Sequence, residues 1–175
     1  MHRIKITKKC VLIGDGGVGK SSLVRRFVTG YFNPIYQVTL GTTIMKKVVH
    51  HYDSIVTLSI WDIGGQTVFK QVRSKYYFAS EGALAICDVT NRTSYENLFS
   101  WIESYREVVG DKPLIIVGNK IDLDKRVIFD EDIEAMQKQF SNSRFIYTSA
   151  KEGENVEAAF KLLVELQLRE EELDI

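Results

Sequence analysis

Near its start the chain carries the stretch Gly14-Asp15-Gly16-Gly17-Val18-Gly19-Lys20-Ser21, which matches the phosphate-binding pattern G-x-x-x-x-G-K-[ST]. An apolar run at residues 10–13 precedes it and is typical of a buried strand. Residues 22–28 follow it with apolar side chains at helical spacing. Strand, glycine-rich loop and helix form the context that this motif requires. The alternative is an ordinary glycine-rich turn. It is disfavoured because all eight residues fit the motif and because a predicted strand and a predicted helix flank it.

This loop predicts a site for phosphate groups. Glycines lack a Cβ and tolerate positive φ, so the backbone can wrap closely around a phosphate. The N–H groups of the loop then point inward, and the start of the following helix adds its positive dipole end. Lys20 can reach the outer phosphates, and the hydroxyl of Ser21 can bind Mg²⁺.

Length and composition set limits on the class of protein. The 175 residues are enough for one domain with a full hydrophobic core, so we expect a single domain over residues 1–175. Hydrophobic residues make up 45% of the chain and charged residues 26%, which is ordinary for a globular protein. Lys and Arg together number 23, as do Asp and Glu. This balance gives no reason to expect a nucleic-acid partner.

The cysteines and the chain ends bear on the compartment. Cys10 and Cys87 lie in apolar, strand-like runs, which favours buried thiols in a reducing compartment over a disulfide. No stretch approaches the roughly 18 apolar residues of a membrane span, so we expect a cytoplasmic protein. His2 stands where N-myristoylation requires glycine, and residues 170–175 hold no cysteine for prenylation. Either this end is not lipidated or a tail is missing, so membrane association stays open.

The order of candidate elements indicates the fold class. Apolar strand candidates alternate with amphipathic helix candidates, which predicts an α/β fold with a mostly parallel sheet. The candidate strands are 9–13, 43–51, 55–61, 82–87, 114–117 and 145–147. The candidate helices are 20–29, a short one within 69–78, 94–109 capped by Ser94, one capped by Asp130, and about 156–168. The second and third strands are expected to form an antiparallel hairpin.

A second chemical signal is Trp61-Asp62-Ile63-Gly64-Gly65-Gln66, at the end of a predicted strand. An acid in this position after a phosphate loop can hold Mg²⁺, often through water. The backbone N–H of Gly65 can then bind a γ-phosphate, and Gln66 can orient an attacking water. On its own this pattern would be a turn signal, but its place in a chain with a phosphate loop favours the chemical interpretation.

Two further signals follow later strands and point to a base. Asn119-Lys120-Ile121-Asp122 comes after the strand at 114–117, and Thr148-Ser149-Ala150-Lys151 after the strand at 145–147. A carboxylate at Asp122 can accept from the N1–H and exocyclic amine of guanine, whereas adenine shows the opposite pattern. The backbone N–H of Ala150 can bind the guanine oxygen. Each motif alone could be a polar loop, but all four lie where ligands bind, beyond the carboxyl ends of parallel strands.

Taken together, these motifs resemble a small GTPase of the Ras superfamily over nearly the whole chain, and the nearest branch is Rab-like. The resemblance rests on the phosphate loop, on Tyr76-Tyr77, on Asp88-Val89-Thr90-Asn91 and on Asn119-Lys120-Ile121-Asp122-Leu123. It implies a P-loop NTPase fold, with a six-stranded, mostly parallel sheet and helices on both faces.

The resemblance also implies residue roles. Thr39 matches the switch I threonine that binds Mg²⁺ and senses the γ-phosphate, Phe32 an aromatic beside the guanine, and Tyr36 a tyrosine that closes over the phosphates. The implied catalytic residues are Gln66, Lys20 and Thr39, and the implied metal ligands are Ser21, Thr39 and, through water, Asp62. The implied nucleotide contacts are Asp15, Gly16, Gly17, Val18, Gly19, Lys20, Ser21, Ser22, Phe32, Tyr36, Thr39, Gly65, Asn119, Lys120, Asp122, Ser149, Ala150 and Lys151. Without the resemblance, Phe32 and Tyr36 would be plain loop aromatics.

One stretch departs from the pattern. The family usually shows Asp-Thr-Ala-Gly-Gln where this chain has Asp62-Ile63-Gly64-Gly65-Gln66, and this Gly-Gly pair resembles the Arf branch. The hydroxyl is missing at Ile63, and Gly64 adds backbone freedom to switch II. The departure leaves the phosphate loop and the guanine motifs untouched.

The resulting expectation is a guanine-nucleotide switch that hydrolyses GTP to GDP with Mg²⁺. Effectors, exchange factors and GTPase-activating proteins are expected to bind through residues 33–75, and the chain is expected to be a monomer. One alternative is a pseudo-GTPase that binds nucleotide without turnover, which the retention of Gln66 and Thr39 disfavours. The other is a P-loop ATPase or kinase, which the stretch 119–122 disfavours.

Overall fold

The computed structural model describes residues 4–65 and 72–173, the last three of them by their backbone alone. The strands are β1 (Ile4–Ile13), β2 (Thr42–His51), β3 (Ser54–Ile63), β4 (Ala83–Asp88), β5 (Leu114–Asn119) and β6 (Ser143–Thr148). The helices are α1 (Lys20–Thr29), α2 (Arg73–Tyr77), α3 (Arg92–Val109), α4 (Asp130–Gln139) and α5 (Val156–Leu173).

The six strands form one sheet in the order β2-β3-β1-β4-β5-β6. Strand β2 is antiparallel to β3 through a hairpin, and the other neighbours are parallel. This confirms the predicted six-stranded, mostly parallel sheet. Because β1, β3, β4, β5 and β6 run the same way, their carboxyl ends meet at one edge, which is where ligands bind in such sheets. All four sequence motifs follow strands at that edge.

Helices cover both faces of the sheet, as predicted. On one face α1 and α5 pack together, with the rings of Phe27 and Phe160 stacked at 4.1 Å between centroids. On the other face lie α2, α3 and α4, where Tyr77 meets Tyr105 edge-on at 5.4 Å. Every residue of β4 is buried, which explains its continuous apolar sequence, since a strand covered on both faces does not alternate.

Some predicted boundaries were wrong at their starts. Strand β1 begins at Ile4 rather than at residue 9, because its half-exposed first residues continue the pairing with β3 from Ile4 opposite Ser54. Helix α3 begins at Arg92, and its N-cap is Asn91, not Ser94: the side-chain oxygen of Asn91 accepts a hydrogen bond from the N–H of Ser94.

The caps and ends of the last two helices also differ from the predictions. Asp130 is the first residue of α4 rather than its cap. The carboxylate of Asp132 accepts instead from the N–H of Phe129, at 2.9 Å. Helix α5 continues to Leu173, beyond the predicted end near residue 168. The short helix predicted within 69–78 is α2, at Arg73–Tyr77. Residues 69–71 of that stretch and Gln66 lie outside the described residues.

The two cysteines belong to the hydrophobic core. Cys10 and Cys87 are both buried and unbridged, as predicted, and burial raises the pKa of each thiol. Among the helices of residues 4–65 and 72–173, none has the length and apolar character needed to cross a membrane.

Candidate functional site

A cavity of about 560 Å³ opens at the carboxyl edge of the sheet. The phosphate loop forms its floor, residues 32–40 cover one side, and the motifs after β5 and β6 form the far end. This volume lies within the range of small-molecule sites, roughly 300–1,000 Å³. The four motifs therefore line one cavity.

The phosphate loop takes a shape that depends on glycine. Gly19 has φ +101° and Gly17 has φ +80°, both in the left-handed region that disfavours other residues. A Cβ added at Gly19 would overlap Nδ2 of Asn119, so the loop lies directly against the base motif. The phosphate loop and the motif after β5 are thus packed as one unit.

Lys20 is held in the middle of this loop. Its ammonium Nζ donates to the carbonyl oxygens of Gly14 at 2.7 Å and Asp15 at 2.8 Å, and the side chain is buried. Burial lowers its pKa to about 8, and the nearby carboxylates of Asp62 and Asp15 oppose that shift. A buried cation with only partial compensation is suited to an anionic ligand, whose phosphates would supply the missing negative charge.

Three oxygen-bearing side chains meet beside Lys20. The hydroxyls of Ser21 and Thr39 are 2.6 Å apart, and Ser21 donates a short hydrogen bond to Oδ2 of Asp62. The other oxygen of Asp62, Oδ1, is buried and has no hydrogen-bond partner among the described residues. Burial raises the pKa of Asp62, while Ser21 and the charge of Lys20 oppose that shift.

This donor set fits Mg²⁺. The ion is commonly held by one or two protein carboxylates, with waters and substrate phosphates completing its shell. A buried carboxylate with an unsatisfied oxygen, next to two hydroxyls and a phosphate loop, provides that arrangement. Ser21, Thr39 and Asp62 could therefore hold the ion.

Asn119 braces the base end of the cavity. Its amide Nδ2 donates to the carbonyl of Val18 at 2.9 Å, and its Oδ1 accepts from the hydroxyl of Thr148 at 2.9 Å and from the N–H of Ala150 at 3.3 Å. One buried side chain thus joins the phosphate loop to the motifs after β5 and β6. It holds these three motifs together at the cavity wall.

The next two polar residues of this motif have different partners. Lys120 donates to the carbonyl of Gly17 at 2.6 Å and pairs with the carboxylate of Asp88 at 2.8 Å. Asp122 lines the cavity, and its Oδ1 accepts from the hydroxyl of Ser149 at 2.7 Å. A carboxylate oriented by a neighbouring hydroxyl is suited to accepting a pair of N–H donors from a base.

The segment before β2 approaches the phosphate loop from outside. Tyr36 is 64% exposed, yet a Cβ added at Gly16 would meet its hydroxyl at 3.7 Å. On the other side, a Cβ at Gly65 would overlap the backbone of Gly16. Residues from both predicted switch segments therefore contact the phosphate loop directly, and Gly65 has no room for a larger residue in this arrangement.

Most predicted site residues line this cavity. They are Gly16, Gly17, Gly19, Lys20, Ser21, Ser22, Phe32, Tyr36, Thr39, Asp62, Gly65, Asn119, Lys120, Asp122, Ala150 and Lys151. The side chains of Asp15, Val18 and Ser149 lie behind the lining: Asp15 faces α3, Val18 is buried, and Ser149 supports Asp122. Gln66 lies outside the described residues.

Sequence reasoning missed two supporting residues. Asp88, the partner of Lys120, and Thr148, a donor to Asn119, were noted only as parts of motifs. Their signal was positional, because each is the last residue of its strand, beside the end of β5.

Comparison with known proteins agrees with this geometry. The Ras family model matches residues 9–169. The Ypt/Rab-type GTPase avaA of Emericella nidulans is 33% identical and aligns with 98% of this chain and 87% of its own. Ras-related protein Rab-9B of Mus musculus is 36% identical, covering 94% and 84%, and Ras-related protein SEC4 of Saccharomyces cerevisiae is 37% identical, covering 90% and 74%. The chain therefore belongs to the Ras family, and its relatives make it Rab-like.

Proposed function

We propose that this chain is a guanine-nucleotide switch of the membrane-traffic type, which binds GTP and GDP and hydrolyses GTP. The observation that supports the proposal most directly is that a phosphate loop, a candidate Mg²⁺ site and the Asp122 carboxylate line the same cavity. Asn119 connects the phosphate loop to the base end of that cavity. A relative named as a Ypt/Rab-type GTPase and another named Ras-related protein Rab-9B align over most of the chain. Family membership implies regulators and effectors as well as nucleotide.

The reaction is an in-line attack of water on the γ-phosphorus, which breaks its bond to the oxygen of the departing GDP. Lys20 would bind the outer phosphates and stabilise the charge that develops on them. Gln66 is proposed to orient the water. Ser21, Thr39 and Asp62 would hold Mg²⁺, which supplies charge neutralisation when bound. Turnover is expected to be slow without an activating partner.

The switch itself is proposed to lie in two segments beside the phosphate loop, residues of about 33–42 and 63–75. Thr39 and Gly65 would each gain a contact when a γ-phosphate is bound, Thr39 through Mg²⁺ and Gly65 through its N–H. Loss of that phosphate would release these segments, an order–disorder change that GTPases use. Effectors, exchange factors and activating proteins would accordingly bind across residues 33–75. The Arf-like pair of Gly64 and Gly65 would increase the mobility of the second segment.

We infer further that residues 1–175 form one G domain that acts as a monomer. A hydrophobic core covers each face of the sheet, and the two cores together involve elements from the whole described chain. No nucleic-acid partner is proposed, because the charge is balanced.

Guanine recognition can be tested at Asp122. We expect Asp122→Asn to weaken GTP binding by about tenfold or more and to improve binding of xanthosine triphosphate, because the amide offers a donor where xanthine has an oxygen. Fluorescent-nucleotide titrations measure both affinities. Asp124→Asn is the matched control, because Asp124 is exposed in the same loop. Equal GTP affinity in Asp122→Asn and Asp124→Asn would remove Asp122 from the base site, and displacement of GTP by excess ATP would favour the ATPase alternative.

The metal site can be tested at Ser21. We expect Ser21→Asn to weaken GTP binding more than GDP binding, because the Mg²⁺ that Ser21 would hold would neutralise charge on a γ-phosphate that only GTP carries. The difference should vanish when a chelator removes Mg²⁺, which gives the control within the same titration. Equal losses for both nucleotides, with and without chelator, would mean that Ser21 serves only the helix start.

A further inference from the structure

Asp15 is an acidic residue inside a loop that binds anions. It is the only carboxylate in the stretch from Gly14 to Ser21. A carboxylate free to turn toward the cavity would repel the phosphates, because like charges in a partly buried site repel strongly. The fold must therefore keep the Asp15 carboxylate out of the cavity when nucleotide is bound.

Helix α3 holds the Asp15 carboxylate on the outside of the loop. Its Oδ1 accepts a hydrogen bond from Nε1 of Trp101 at 2.8 Å, and its Oδ2 accepts from Nδ2 of Asn97 at 2.8 Å. Trp101 is only 5% exposed, so its indole N–H is fixed in place by packing. Each carboxylate oxygen thus has a donor, and the Asp15 side chain does not line the cavity.

Helix α2 adds a positive charge to this arrangement. The guanidinium carbon of Arg73 lies 3.6 Å from the centroid of the Trp101 ring. Burial lowers the pKa of Arg73, and Tyr77 and the carboxylate of Asp15 oppose that shift. Arg73 is also the first residue of α2 and lies within residues 33–75, where partners are proposed to bind.

We propose that Trp101, Asn97 and Arg73 form a carboxylate clamp, a set of positioning residues that holds Asp15 away from the phosphates. This inference rests on the proposed function. The clamp lets the phosphate loop carry an acid without losing affinity for an anion. It also links the phosphate loop to α2 through the ring of Trp101, which contacts both Arg73 and Asp15. A displacement of α2 would therefore alter the hydrogen bond that holds Asp15. Binding of GTP should depend on the clamp more than binding of GDP, because GTP carries one more phosphate that a released Asp15 carboxylate would repel.

The test is a double replacement in α3, Trp101→Phe with Asn97→Leu, which keeps apolar packing and removes both donors to Asp15. We expect the dissociation constant for GTP to rise about tenfold, the effect of losing a hydrogen bond to a charged group. The dissociation constant for GDP should rise by a smaller factor. Both factors should be larger at low ionic strength, where charges are less screened. Glu103→Gln, at an exposed position of α3, is the matched control.

The decisive arm repeats the replacement in an Asp15→Ala background. If the clamp acts on the carboxylate, the α3 changes should shift neither dissociation constant there, whereas a merely structural role would weaken binding equally in both backgrounds. An equal loss in both backgrounds, or no loss in either, would overturn the clamp while leaving the proposed function intact. A wild-type chain that binds no guanine nucleotide would overturn both.

Discussion

Replacing Lys20 with methionine should abolish nucleotide binding and at the same time stabilise the nucleotide-free protein. The side chain is buried, and burial lowers its pKa from 10.5 to about 8. Methionine has a similar length and removes the charge. Loss of a buried cation that pairs with phosphates costs a few kcal/mol, or about a hundredfold or more in affinity.

The effect on stability follows from proton linkage. Between pH 8 and 10.5 the unfolded chain holds a proton on Lys20 that the folded, nucleotide-free chain has given up. The free energy of unfolding therefore rises with pH across this window, and below pH 8 the folded state bears the whole cost of a buried charge. Lys20→Met should melt at a higher temperature than wild type at pH 7, and the rise above pH 8 should be missing.

The measurement is thermal unfolding of nucleotide-free protein from pH 6.5 to 10.5 (about four units around the shifted pKa), beside a nucleotide titration. Lys125→Met, at an exposed position, is the control and should leave both properties near wild type. A nucleotide-free Lys20→Met variant that melts below wild type at pH 7 would show that the two bonds from Lys20 to the loop carbonyls outweigh its desolvation.

The meeting of the motifs at one edge of the sheet could be predicted because each motif is local and stands at a strand end. Once β1, β3, β4, β5 and β6 are placed in one parallel sheet, the residues at the carboxyl end of each strand must meet at one edge, so Ser21, Asp62 and Asn119 could be expected to converge. The prediction needed only strand positions, and errors of a few residues at the far ends of strands did not affect it. The early start of β1 at Ile4 is such an error.

What the sequence could not predict depends on side-chain direction and on distant partners. Nothing in the pattern around Asp15 tells that its carboxylate turns to Trp101, 86 residues later in the chain. Likewise, the residue type of Ser94 suited the cap predicted for it, and only the backbone geometry of the turn selects Asn91. The structure is also what identifies Asn119 as a brace between the phosphate and base motifs.

That brace leads to the second large effect, which is expected for Gly19→Ala. Gly19 has φ +101°, which strains any residue with a Cβ, and the added carbon would overlap Nδ2 of Asn119. Displacing Asn119 would leave the carbonyl of Val18 and the hydroxyl of Thr148 without their partner. Strain costs about 1–3 kcal/mol, and an unsatisfied buried polar group costs about the same again. We expect Gly19→Ala to lower the free energy of unfolding by about 2–5 kcal/mol and to eliminate measurable GTP binding.

Gly30→Ala separates strain from collision. Gly30 has φ +74° at the end of α1, but a Cβ there would meet no atom within 4 Å. This variant should lose only the strain energy, about 1 kcal/mol, and should bind GTP as wild type does. Urea unfolding and fluorescent-GTP titration of both variants make the comparison. If Gly19→Ala lost no more stability than Gly30→Ala and still bound GTP, then Asn119 would not be pinned against the phosphate loop, and the two ends of the nucleotide site would be independent of each other.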